Sequence, residues 1–423
     1  MSKAKKLLLF LFIFGTTQLL AQSAKSPFSA FGVGDFTGTS LANNQGMAGV
    51  GISNPQYWYI NNQNPALLVF NTLTTFHGGI MGERVTTNDG TLKEKNTNGN
   101  MNYLLLGFPI KRGKWVNSIS LAPYSSSNYR FSYSDVIDGS TDLVKVTEEG
   151  SGGINSFSWS HGVALHKTLS VGGSVNYLFS SMERSYYNQL TSTDQSLLYI
   201  PAIYQRYHFS DVKFTGAISF HKDSLFQKNY RLNIGVVYDF QADVNTTLLE
   251  TLERRSAAGV TDSTTLRYNE RGQTTLPSKL SLGVSFGKGD RWVVAADYAM
   301  SDFTTYKQTF DIQMPTYKKG QKIAVGGEFT PDATSLSNYL KRMSYRTGVS
   351  YEEMPYLING KPLKDFGINF GFSAPVSRVS SLDVAVRWGK RGTVVDNQIE
   401  ENYFKIYFGV TFNDQWFIKR RFD

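Results

Sequence analysis

Reactive side chains are scarce in this chain of 423 residues. There is no Cys, and the five His are His77, His161, His166, His208 and His221. No two of them stand at the helical spacing of a metal-binding pair, and without thiolates a structural zinc site lacks its usual ligands. One pair could do nucleophilic chemistry, Ser160-His161 in Trp159-Ser160-His161-Gly162, if the imidazole took the hydroxyl proton. Phe157, Trp159, Val163 and Leu165 share the parity of His161. In an extended strand its ring therefore points away from the Ser160 hydroxyl, and the pair cannot form. Gly32-Val33-Gly34 and the cluster from Gly46 to Gly51 lack the preceding strand and following helix of a phosphate-binding loop. No catalytic residue, metal site or cofactor is assigned, and the chain is not expected to be an enzyme.

The elements that carry these residues are strands. Near the C-terminus Phe404, Ile406, Phe408, Val410 and Phe412 interleave with Lys405, Tyr407, Gly409 and Thr411, the period of a strand with one apolar and one wetter face. The same alternation recurs around Phe366 to Ala374, Leu382 to Trp388, Leu280 to Phe286, Leu232 to Phe240 and Trp292 to Met300. Weaker versions lie near 73–87, 98–110, 115–133, 153–166, 169–187, 203–220, 322–330 and 343–355. About fourteen strands are expected.

The connections between them alternate in length. Short ones fall at Lys111 to Lys114, His166 to Thr168, Lys288 to Asp290 and Pro375 to Ser381, with longer members at His221 to Asn229 and Pro331 to Arg342. Between them come polar loops expected at Asn88 to Thr97, Asp135 to Gly152, Gln189 to Pro201, Thr246 to Thr275, Gln308 to Gly320, Glu353 to Lys364 and Gly392 to Asn402. Short turns at every second connection are the signature of a transmembrane antiparallel β-barrel, with its short turns in the periplasm.

Orientation follows from size. The wetter face is dominated by Gly, Ser, Asn and Ala, too small to fill a lumen of fourteen strands, so the apolar face is turned to lipid and the barrel closes to leave no unpaired edge. Tyr403, Trp416 and Phe417 are expected in the aromatic girdles at the membrane interfaces. The inward face then carries Arg231, Asp239, Asp297, Glu328, Arg346, Asp383, Arg387 and Lys405, either as a polar conduit or as paired ladders that stiffen the wall.

The ends agree with export. Lys3, Lys5 and Lys6 precede an apolar stretch from Leu7 to Phe14, with Ala21 as a cleavage residue, so residues 1–21 read as a signal peptide. Lys and Arg number 43 against 34 Asp and Glu, and the excess is scattered, which excludes a nucleic-acid partner.

Residues 22–71 do not alternate. Phe28, Phe31, Phe36, Tyr57, Trp58 and Tyr59 make this stretch too aromatic for a disordered leader, and a plug in the lumen is expected, with the barrel over 72–423. The motif Gly46-Met47-Ala48-Gly49-Val50-Gly51, then an aromatic stretch, then Asn64-Pro65-Ala66 just before the first strand, resembles the FadL family of outer-membrane transporters of hydrophobic compounds. The opening Ser26 to Asp35 and the ending Phe408 to Arg421 look like a Bacteroidota branch of it. The resemblance implies a fourteen-stranded barrel with an N-terminal hatch, anchored to the wall by Asn64, Pro65 and Ala66, although Asn-Pro also simply forces a turn. It further implies a lateral opening at a kink in the third strand, where Pro123 is the candidate; a Pro near the periplasmic rim is the alternative. The apolar ligand lining would be Phe28, Phe31, Phe36, Tyr57 and Trp58. Outer-membrane lipid and a small hydrophobic ligand are the expected partners of an uptake channel. A barrel subunit of a secretion or assembly complex, bound to other outer-membrane proteins, is the alternative that the charged lumen and polar loops suggest.

Overall fold

The computed structural model describes residues 25–136, 143–190, 199–225, 229–256, 259–289, 291–310, 316–377 and 379–414. The expected signal peptide at 1–21 and the girdle residues Trp416 and Phe417 lie outside the described residues. A strand with one apolar face must hide it or turn it to lipid, and the alternating segments do the latter by forming a ring. The strands are β1 (Thr74–Asn88), β2 (Lys93–Lys111), β3 (Trp115–Pro123 and Tyr129–Val136), β4 (Leu143–Gly152 and Asn155–His166), β5 (Leu169–Leu190) and β6 (Ile200–Leu225). The ring continues through β7 (Tyr230–Asp239 and Ala242–Ser256), β8 (Gly259–Leu276 and Lys279–Lys288), β9 (Trp292–Asp302 and Lys307–Gln308) and β10 (Lys319–Phe329). It ends with β11 (Ser344–Ile358), β12 (Lys361–Pro375), β13 (Ser380–Arg391) and β14 (Glu400–Asp414). β1 closes the ring against β14 in a ladder from Thr74↔Asp414 to Asn88↔Glu400, giving a closed antiparallel barrel of 14 strands.

The apolar faces point outward. Phe404, Phe408, Val410 and Phe412 are exposed while Tyr403, Tyr407 and Thr411 are buried; Ile234, Val236 and Tyr238 are exposed while Asn233 and Val237 are buried. In a closed ring such a belt is satisfied by acyl chains, the build of an outer-membrane barrel. Tyr403 is a correction: it is buried and donates to Asp365 Oδ1 at 2.6 Å. Its place in the alternation with Lys405 and Tyr407 turns it inward, away from any girdle.

Most of the expected polar loops are strand. The ladders run on to Asn88↔Lys93, Val136↔Leu143, Ser256↔Gly259 and Ile358↔Lys361. Above the membrane a ladder needs no apolar face, so the alternation stops while the hydrogen bonding does not. The barrel is consequently lopsided. β10 has 11 residues, about enough to cross the apolar band, whereas β6 has 26 and rises far beyond it.

One seam interrupts the wall. β2 and β3 pair only from Leu104↔Leu121 down to Lys111↔Trp115. Among the described residues no ladder joins the outer half of β2 to Tyr129–Val136. Between the two parts of β3 the chain kinks, and Ser125–Ser126 pair instead with Asp35–Phe36 of the N-terminal segment.

Candidate functional site: the lumen and its seam

The segment from Ser26 to Asn71 lies in the lumen, held by close backbone approach. A Cβ on Gly235 would stand 2.1 Å from the Ile52 carbonyl oxygen, one on Gly172 2.4 Å from the Ala66 nitrogen, and one on Gly326 2.5 Å from the Met47 carbonyl oxygen. Only glycine at these inward positions lets the segment touch the wall.

Asn64, Pro65 and Ala66 sit at this contact. Asn64 Oδ1 accepts from the Ala66 N–H at 2.9 Å and caps the short helix Pro65–Phe70, while its Nδ2 donates to the Ile52 carbonyl at 2.7 Å. The Pro65 carbonyl and the start of that helix lie over Gly162 of β4 and Gly172 of β5. The same triplet thus turns the chain and rests on the wall.

The inward charges bind the segment and one another. Asp297 Oδ2 accepts from the Gly51 and Ile52 N–H groups at 2.8 and 3.0 Å. Glu328 takes Arg346 at 2.6 Å and Gln56 Nε2 at 3.0 Å. Arg346 also donates to Ser373, and Ser373 to Asp383. Tyr59 donates to Asp383 at 3.0 Å. Burial, reinforced by Asp383, raises the Tyr59 phenol well above its ordinary value, so it stays a donor. Nearer the outer side Arg391 reaches Asp35 at 2.6 Å and Asp365 at 3.1 Å, Arg387 reaches Asp365 at 2.7 Å, and Ser26 donates to Glu401 at 2.7 Å. Lys405 pairs with Glu83 at 3.0 Å, Arg231 with Asp223 at 2.7 Å, and Asp239 accepts from Thr215. Each charge singled out from the sequence therefore has a partner; Asp35, Asp365, Arg391 and Glu401 were missed.

The kink of β3 is bonded throughout to the segment. Thr37 N donates to the Tyr124 carbonyl at 3.0 Å, its hydroxyl donates to the Pro123 carbonyl, and Ser125 Oγ donates to the Val33 carbonyl at 2.7 Å. Pro123 ends the lower part of β3 at this kink, in the wall and away from the rim. Beside it an apolar cluster fills the lumen, in which Val33 packs with Ile154, Leu178, Met182, Tyr207 and Phe209. The wall thus supplies buried apolar contacts to the N-terminal segment beside the kink.

The five aromatic candidates are not brought together. Phe28 is buried against Tyr356 and Leu363, the Phe31 ring lies tilted to that of Tyr356 at 4.8 Å, and Phe36 meets the rings of Tyr124 and Phe303 at 5.4 Å each. Tyr57 and Trp58 lie at the other end of the segment, at the mouth with the short turns. Two cavities flank the segment. One of about 280 Å³ touches Phe31 and Phe36 and is otherwise hydroxyl-rich, with Ser120, Ser158, Ser160 and Ser174. The other, of about 610 Å³, touches Tyr57 and Trp58. His161 lies on the outer face 3.2 Å from Trp115 Nε1, while the Ser160 hydroxyl points inward and accepts from Ser174 at 2.7 Å. The two do not form a nucleophile–base pair.

Among solved structures, the chain is similar to the Pseudomonas putida toluene transporter TodX, at 16% identity over 91% of this chain and 100% of that one, with a TM-score of 0.57. It is similar to a Pseudomonas aeruginosa FadL homologue at 12% identity, covering 90% and 99%, with a TM-score of 0.59. For the Ralstonia pickettii toluene transporter TbuX the values are 14%, 88%, 98% and 0.56. These identities establish a shared fold. No curated protein sequence matches. The BamG family model matches residues 3–423, the whole of the barrel and the segment inside it, and the chain belongs to the BamG family.

Proposed function

We propose that this protein is a FadL-like channel of the outer membrane that takes up small hydrophobic compounds, with residues 22–71 as its hatch and the β2–β3 seam at Pro123 as its lateral exit. One observation carries this reading: the kink beside the seam is hydrogen-bonded to the hatch strand Asp35–Phe36, next to an apolar cluster in the wall. Shifting the hatch would loosen the kink and uncover that apolar surface in one step. Phe31 and Phe36 would meet a ligand entering from outside, and Phe28 would support them; Tyr57 and Trp58 line the inner side. That named toluene transporters share the fold supports the same class of cargo. Proteoliposomes holding the full chain should take up labelled toluene or oleate faster than empty ones, and Phe36→Asp should slow this. Equal uptake with and without protein would contradict the channel.

A second reading, a barrel subunit of an outer-membrane secretion or assembly complex, is favoured by the hydroxyl-rich cavity and by the hydrogen bonds that wall carboxylates make to the hatch. It predicts a stoichiometric protein partner after mild detergent extraction, with no uptake.

A further inference from the structure

The mouth with the short turns ends blind. Its cavity of about 610 Å³ is floored by Asn54 to Tyr59 of the N-terminal segment and walled by turn residues. Its apolar lining faces into the mouth, away from the lipid belt: Trp58 is 52% exposed and Val376 70%, beside Tyr339 and Val379. Tyr339 is fixed there by its hydroxyl, which donates to the Pro375 carbonyl at 3.1 Å.

Among the described residues the charge at this mouth is mainly positive. The strand ends and turns around it carry Arg112, Lys167, Lys222, Lys288 and Lys341. Of the nearby carboxylates among the described residues, Asp223 and Glu328 are engaged by Arg231 and Arg346, while Asp332, held by the Thr334 hydroxyl and N–H, and Asp414 at the end of β14 stand against these cations. Arg342 lines the cavity with its guanidinium 5.1 Å above the Tyr339 ring and its Nε buried without a hydrogen-bond partner among the described residues. An unpaired buried donor on a cation is costly unless an acceptor arrives from elsewhere.

We propose that this cup docks an extended acidic segment of a periplasmic protein, with carboxylates on Arg342 and the basic rim and an apolar side chain against Trp58 and Val379. A peptide suits the cup because it presents both chemistries at once. A phospholipid headgroup would satisfy Arg342 but leave the inward apolar wall bare, since its chains stay in the bilayer outside the ring. This goes beyond the channel reading and holds whether or not the barrel transports anything.

The test uses the full chain in nanodiscs and a short labelled peptide alternating Glu and Leu, with its Gln-for-Glu counterpart as control. The acidic peptide should bind about tenfold tighter than the control at low salt, and the preference should fade at high salt. Arg342→Gln and Trp58→Ala should each weaken binding by about tenfold. Trp58 is exposed and Arg342 half-buried at the mouth, and the gel shift of the folded barrel verifies that the variants assemble. Equal binding of the two peptides, binding unaffected by both variants, or displacement of the peptide by glycerophosphate as a headgroup analogue would overturn the proposal.

Discussion

Arg391 on β13 lies 2.6 Å from Asp35, so one guanidinium ties the barrel wall to the short strand that holds the kink of β3. It also holds Asp365 at 3.1 Å; that carboxylate is buried, while Asp35 borders the smaller cavity. A buried pair of this kind adds little net stability over apolar packing, but removing one partner strands the other. The pairing is better understood as fixing where the N-terminal segment sits.

Arg391→Met should therefore loosen the segment more than the barrel. The loss is about 3 kcal/mol, chiefly from leaving Asp35 without its cation, since Asp365 keeps Arg387. Hydrogen exchange should speed up at residues 26–38 and at the kink, with the ladders of β10 to β12 unchanged. Unchanged exchange at the segment would show that Arg391 does not hold it.

Adjacent glycines on β5 should behave in opposite ways. A Cβ on Gly172 meets the Ala66 nitrogen at 2.4 Å, while one on Gly173 finds its nearest neighbour, the Thr215 carbonyl oxygen, at 3.6 Å. Gly172→Val should expose the segment to added protease or block assembly, and Gly173→Val should do neither. Similar protease patterns for the two would contradict the close docking.

Asn64→Ala removes a helix cap and the bond to the Ile52 carbonyl. The expected loss is about 2 kcal/mol, read as a lower midpoint of thermal or denaturant unfolding. Asn64→Asp keeps the cap acceptor and loses the donor, so it should fall between the two.

The Tyr59 phenol gives an alkaline dependence. Its folded value is raised by burial and by Asp383, so its contribution is fully present below the unfolded phenol value of about 10 and is lost as pH rises above it. Stability measured by denaturant unfolding should decline above about pH 10, and Tyr59→Phe should flatten that decline. An unchanged slope in the variant would place the alkaline sensitivity elsewhere.

Much of this was legible from the residues. Parity along Phe404 to Phe412 placed Lys405 inside, and the same count placed Asp297 and Arg346 where they hold the segment. Asp365 and Arg391 escaped because each lies between a stretch where apolar side chains alternate and an expected loop, and Glu401 because it falls inside the loop expected at Gly392 to Asn402. The ladder continues there without an apolar face to reveal it. Asp35 escaped because its partner is 356 positions away in the chain, a pairing that only closure of the ring brings about. The kink was signalled by Pro123, but its bond to the hatch strand was not, since a two-residue strand leaves no periodic trace. Leu178 and Met182 are buried in the middle of β5, a weak stretch in which greasy and polar residues mix on both faces.

The central claim is that the hatch strand and the β3 kink move apart to admit cargo. The chain has no Cys, so Phe36→Cys with Ser125→Cys, directly paired across the two segments, gives a single disulfide at a spacing such pairs accept. Uptake of labelled oleate into proteoliposomes should stop when this pair is oxidised and return on reduction; uptake that is the same in both states would contradict the account.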